Sequence, residues 1–337
     1  MSAELRACVG TVASALNAGI IPESFRGFEE DLCEGAVRGL DIKQFSSIAE
    51  WVQWLSFASI TLDESDYLKA AIYGLNLATK LAGTDYGTSR QRDLGQLWTD
   101  TIRGLLGEIA FAKWLENRFD VHIELDYRLG PLEEFLPSDI KKVNGREPRL
   151  KVSIKTTKLG GIWLDLPGAQ IKHSDVFVLV RVGATREHFI AFLKKISVIK
   201  NKLLEEALSR GLISDELAKT VWNAVPEFKH IPAYIAGFLD KSEYGAKLND
   251  ERCIIEADGE VKTRRIIINK FLGYWKPGAP EYEEALRSLL KSKGKRAENM
   301  KLEFEGIREF SRSLHFIASS GVLKKKREDW ESLVKRL

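Results

Sequence analysis

Residues 176–182 read VFVLVRV, a run that is apolar at every position but Arg181. Such a run does not alternate, so one face cannot be left to water. It suits a central strand covered on both faces, and that requires helices above and below a sheet. The flanking pattern agrees. A helix is expected over Thr101–Phe119, followed by strand-like runs at Val121–Leu125, Asp139–Val143, Leu150–Thr157 and Phe189–Leu193. A further helix then reads from Ile196 to Ser209, with Gly211 as its stop and Ser214 capping the next. Helix, several strands, then helix is the order of an α/β (α+β) fold, with a mixed sheet and the first helix packed across it.

Composition sets outer bounds. The 337 residues are 44% hydrophobic and 29% charged, which excludes a disordered tail, a collagen or a disulfide scaffold. Three regions are expected. Residues 1–95 read as mostly helical, with Ser65 capping a helix over Tyr67–Leu81 that Gly83 stops, and with a polar linker over Gly83–Gln96. Within 1–60 only Arg6, Arg26, Arg38 and Lys43 oppose eight acids, so this part suits a scaffold or dimerisation role better than a phosphate grip. Residues 96–275 form the core, and 276–337 read as helical and basic. From Glu281 to Leu337 there are fourteen Lys and Arg against ten Asp and Glu, densest at Lys291–Arg296 and Lys324–Arg327. Two helices around Gly321 are a generic possibility over Ser311–Lys335. The whole chain carries only +3, so a polyanion partner depends on local clustering of charge.

Other chemistries find little support. Cys8, Cys33 and Cys253 lack zinc-knuckle or redox spacing, and inert thiols in a reducing cytosol are expected. The five histidines, His122, His173, His188, His230 and His315, show no metal-ligand spacing. No phosphate-cradling Gly-rich loop argues for a nucleotide cofactor. The aromatic runs Pro232–Phe238 and Phe271–Pro277 read as core. The N-terminal residues do not form a basic-then-apolar leader, and no apolar run is long enough to span a bilayer, so a cytoplasmic chain is expected.

Three charged positions resist that bland reading. Leu105, Glu108, Ala112, Leu115 and Phe119 share one helical stripe, so Glu108 is the carboxylate on an apolar face. Burying it unpaired costs several kcal/mol, on the order of the usual transfer penalty, so a cation should compensate it. In Leu150–Lys158, Val152 and Ile154 point one way while Ser153, Lys155 and Thr157 point the other. Asp139 opens a strand just after Pro137 and Ser138, well placed to face a cleft. Singly, these are a helix-edge acid, a solvated edge strand and a turn residue.

Together, a helical Glu, an Asp at a strand start and a strand Lys sixteen residues later resemble the PD-(D/E)xK nuclease superfamily, over about Gly104–Val182. The resemblance implies a restriction-endonuclease-like sheet flanked by helices. It implies Mg2+ held by Asp139, Glu108 and the Ile154 carbonyl, with Lys155 as catalytic lysine and Gln170 facing the site. Ser153 stands where the family has an acid. In a Ser-x-Lys branch of restriction enzymes the displaced carboxylate lies beyond the lysine, but Pro167 and Gly168 occupy that spacing here. Asp165 and Asp175 are the nearest acids and fit poorly; Glu108 is the alternative source of charge. The implied activity is Mg2+-dependent hydrolysis of double-stranded DNA, most simply by a type II restriction endonuclease acting as a homodimer. A structure-selective repair or recombination nuclease and an inactive nuclease-like DNA-binding protein are the rivals.

Overall fold

The computed structural model describes residues 1–81, 94–127, 138–307 and 310–337. Serine hydroxyls start the first helices. Ser2 accepts the Leu5 amide at the head of α1 (Ala3–Asn17), and Ser47 accepts that of Glu50 at the head of α3 (Ile48–Ala58). Between them lies α2 (Glu29–Arg38), tied to α1 by a disulfide between Cys8 and Cys33, so these two cysteines are not the free thiols expected from their spacing.

A short strand β1 (Ser59–Leu62) leads into α4 (Glu64–Leu81). The cap of α4 is Asp63 and not Ser65: its Oδ1 accepts the amides of Ser65 at 2.8 Å and Asp66 at 3.1 Å. The expected stop at Gly83 and most of the expected linker lie outside the described residues. Next come α5 (Leu94–Phe119), β2 (Ile123–Leu125), β3 (Ile140–Val143), β4 (Val152–Lys158), β5 (Trp163–Pro167) and β6 (Val176–Val182).

The apolar run Phe189–Leu193 lies in α6 (Arg186–Lys195) and is not a strand. Five apolar-rich residues cannot separate the two states. The His188 ring decides locally, since its Nδ1 accepts the Thr185 amide at 3.0 Å and caps the helix. After Ser197, held at φ +62°, a π-helical stretch over Val198–Leu204 runs into α7 (Glu205–Ser209), and Ser214 caps α8 (Asp215–Ala224). The chain closes with β7 (Ile231–Asp240), β8 (Ile254–Lys262), β9 (Arg265–Trp275), α9 (Pro280–Ser292), β10 (Lys301–Phe304), β11 (His315–Ser319) and α10 (Arg327–Val334).

The protein is thus a mixed α/β fold with helices toward both ends. One sheet has the order β1-β7-β6-β4, with β6 parallel to β4 and antiparallel to β7. Every β6 residue is buried. Val176, Val178, Val180 and Val182 pack with Leu105, Ile109 and Trp114 of α5, while Phe177 and Leu179 pack with Leu16, Leu32 and Leu55 of α1–α3. Strand alternation therefore feeds two cores, one on each face.

A second sheet runs β10-β9-β11-β5, with β8 on the other side of β9, and rests on α9 through Leu286 and Leu290. The segment 276–337 carries the helices α9 and α10 but is not helical throughout. Two of its runs are strands, and Ser311–Lys335 is β11, a 3-10 turn and α10 in place of two helices around Gly321. Backbone pairing crosses both expected boundaries, because β1 zips onto β7 and β11 onto β5 and β9.

Arg181, the odd residue of the apolar run, is fully buried. Its guanidinium meets Asp41 at 2.8 Å, Ser320 Oγ at 2.8 Å and the Tyr234 hydroxyl. Lys325, equally buried, also holds Asp41. Burial pulls the Lys325 ammonium below its usual range, and Asp41 opposes this. The cluster pins the N-terminal helices, the central strand and the C-terminal segment to one another.

Most cations of the basic runs are likewise paired within the fold. Lys291 pairs with Glu298 at 2.9 Å, Lys293 with Glu256 at 3.9 Å, and Lys295 with Asp258. Lys324 pairs with Glu243, and Arg327 with Glu331 at 3.0 Å. Among the described residues no helix is long and apolar enough to cross a membrane.

Candidate active site

One glycine sets the position of Glu108. Helix α5 crosses β4 so closely that a Cβ on Gly107 would lie 1.8 Å from Thr156 Oγ1, while that hydroxyl donates to the Gly104 carbonyl at 3.0 Å. Only a residue without a side chain permits this approach. The next residue, Glu108, is thereby held beside the middle of β4. It is half-buried. Burial drives its carboxyl well above the usual carboxylate range; the charges of Asp139 and Asp126 push the same way, and Lys155 opposes them.

Asp139 directly precedes β3 and is tied to β4, its amide donating to the Val152 carbonyl at 2.8 Å. Its carboxylate bonds the next residues of β4: Oδ2 accepts the Ile154 amide at 2.5 Å and the Ser153 hydroxyl at 3.3 Å. In an extended strand a residue's N–H and C=O share one edge, so the Ile154 carbonyl is directed to the Asp139 side as well. Burial raises the Asp139 carboxyl, against Lys155 and these two hydrogen bonds.

Ser153 is buried and links two partners, because its Oγ also accepts from Gln170 Nε2 at 3.3 Å. Gln170, itself buried, lies on a 3-10 turn over Gly168–Lys172. The pair forms a chain that ends on Asp139. Lys155, half-buried, is in no salt bridge among the described residues, and its charge bears on both Glu108 and Asp139. The structure therefore brings Glu108, Asp139, Ser153, Ile154, Lys155 and Gln170 into one neighbourhood.

Two residues went unnoticed in the sequence. Asp126 follows β2, donates its amide to the Asp139 carbonyl at 2.9 Å, and adds negative charge against both Glu108 and Asp139. Tyr127 stacks on Tyr73 with centroids 4.0 Å apart and lies under Lys69. Burial, then Glu108, raises its hydroxyl. The available signal was slight: Asp126 follows the alternating run Val121–Leu125 and meets Asp139 only once the β2–β3 register is known.

The acids weighed as a displaced carboxylate are engaged elsewhere. Asp175 accepts the Lys151 amide at 2.9 Å. Asp165 holds His315 Nδ1 at 2.8 Å, while Nε2 faces Ser311 Oγ at 2.9 Å and the Ser311 carbonyl at 3.2 Å. The hydrogen bond to Asp165 raises the His315 imidazole. The ring thus ties Asp165 to the Ser311 segment, away from Glu108 and Asp139.

Among the described residues no three His, Cys, Asp or Glu side chains are grouped to hold a metal ion. Glu108 and Asp139 with the Ile154 carbonyl are a smaller, all-oxygen donor set. No family model, curated protein or solved structure matches the chain.

Proposed function

We propose that this chain is a Mg2+-dependent DNA endonuclease of the PD-(D/E)xK type. One observation carries the reading: a helix acid, a strand-start acid and a strand lysine, far apart in sequence, act electrostatically on one another at the edge of β4. Both carboxyls are disfavoured as anions by burial and by neighbouring acids, and the charge of Lys155 opposes this at both. An environment that raises two acids together is one that a divalent cation would relieve.

The donor set fits magnesium, a hard cation that takes oxygen ligands and commonly uses only one or two carboxylates. Glu108, Asp139 and the Ile154 carbonyl would hold it. When bound, such an ion lowers the pKa of a water and offsets charge on a phosphoryl oxygen. The protein's own groups do the rest. Ser153 and the Ile154 amide fix the Asp139 carboxylate, and Gln170 fixes Ser153. Lys155, in no salt bridge among the described residues, offers its side chain to the attacking water and the phosphate. A single centre per chain cuts one strand, so cleavage of both strands calls for two copies. A type II restriction enzyme is the simplest form of this activity.

Ser153 favours one further reading, a nuclease-like DNA-binding protein that has lost an acid. Nicking of supercoiled plasmid separates the two. Wild type in Mg2+ is expected to cleave, and Asp139→Ala and Lys155→Ala to abolish cleavage with an unchanged circular dichroism spectrum. Full activity in either variant refutes the site. Binding without cleavage, with activity appearing in Ser153→Asp, selects the second reading.

A further inference from the structure

The Lys291–Arg296 and Lys324–Arg327 runs spend most of their cations on Glu298, Glu256, Asp258, Glu243, Asp41 and Glu331. Charge available to a polyanion must come from elsewhere. A groove of about 410 Å³ lies between the loop after β3 and the end of α10, and Arg146, Arg149 and Lys335 line it. All three are exposed, and none is in a salt bridge among the described residues. Glu147 is the acidic side chain in the lining. Lys141 on β3 and Lys151 ahead of β4, both exposed, continue the positive strip toward Asp139.

The groove is also preformed. Asn144 and Gly145 sit at φ +48° and +76°, the left-handed pair of a tight hairpin turn, closed by the Val143 amide on the Arg146 carbonyl at 2.8 Å. Asn144 Oδ1 accepts the His122 amide at 2.9 Å, and the Arg149 amide donates to the Leu337 carbonyl at 3.0 Å. These bonds anchor the backbone that carries Arg146 and Arg149, so little loop ordering remains for binding. Four strand residues separate Asp139 from Val143, or roughly 13 Å at about 3.3 Å per residue. That is about four base-pair rises of a duplex at ~3.4 Å each.

We infer that this groove grips the phosphate backbone of the DNA duplex being cut, which rests on the nuclease reading above. Phosphate contacts position a duplex without reading its sequence, and three separated guanidinium and ammonium groups on a fixed frame suit that task.

The test is a salt series of fluorescence anisotropy with a labelled duplex and no divalent cation. Wild type is expected to bind with a steep salt dependence. Arg146→Ala/Arg149→Ala/Lys335→Ala is expected to flatten the slope by about 2.7, at ~0.9 per phosphate contact, and to weaken affinity at about 0.1 M salt by roughly two orders of magnitude. Lys291→Ala/Lys293→Ala/Lys295→Ala, whose cations already have acid partners, should change the slope by less than about 1. If wild type binds and the groove variant keeps its slope, or the two variants lose it equally, the groove assignment falls and the nuclease reading stands. If wild type does not bind duplex DNA, both fall.

Discussion

Placing a methyl group on Gly107 puts a carbon 1.8 Å from Thr156 Oγ1, 2.8 Å from its Cβ and 2.9 Å from its Cγ2. Ordinary contact begins near 3.4 Å, so α5 and β4 must separate by roughly 1.6 Å at this point. Overpacking of that kind costs ~1–3 kcal/mol. Loss of the Thr156 bond to the Gly104 carbonyl adds about 1 kcal/mol, and the better helix propensity of alanine returns about 1. Gly107→Ala should therefore destabilise by about 1–3 kcal/mol. Gly104, three residues earlier on the same helix, supplies the control. Its added Cβ meets nothing within 4 Å, so Gly104→Ala should stabilise by up to about 1 kcal/mol. The two substitutions are chemically identical and are expected to differ in sign. Urea unfolding followed by tryptophan fluorescence reads both. In Gly107→Ala/Thr156→Ala only the 2.8 Å contact remains, and most of the loss should return. Because Glu108 rides on the same turn, plasmid cleavage in Gly107→Ala should fall on the order of 100-fold. Equal stability in the two glycine variants would refute the close crossing of α5 over β4.

Two more outcomes follow from the buried charges. Burial and neighbouring acids raise the Glu108 carboxyl, so the folded state is penalised once pH exceeds the carboxyl's unfolded-state pKa, and the penalty grows until pH passes the folded value. Glu108→Gln should accordingly raise the melting temperature without divalent cation, by more at pH 7 than at pH 5, while abolishing Mg2+-dependent cleavage; a gain that shrinks with rising pH contradicts this. Asp41→Asn strands Arg181 and Lys325 as buried cations and should cost ~3–5 kcal/mol in urea unfolding, whereas a loss under about 1 kcal/mol would mean the cluster is solvated in solution.

Legibility differed from element to element for physical reasons. β6 was visible because a fully buried strand needs a continuous apolar run, and β4 because its two faces alternate. α6 was not visible: its short apolar run fits either period, and a histidine cap decided the matter. The strands β10 and β11 were not visible because they are only four and five residues long, and the strands they pair with, β9 and β5, lie far back along the chain. Glu108, Asp139 and Lys155 could each be singled out from local pattern. Asp126 could not, because its approach to Asp139 depends on hairpin register and not on composition.

Local periodicity alone was enough to specify a covered central strand, an acid on the apolar stripe of a long helix and a lysine on the polar side of a strand. Those properties depend on neighbours one turn or two residues away. Which carboxylates meet Lys155, which lysines remain open to solvent and which distant strands share a sheet were settled only by tertiary contacts. Such contacts join Asp41 to Lys325 and β5 to β11 across more than a hundred residues, a separation over which no pattern of adjacent side chains carries information.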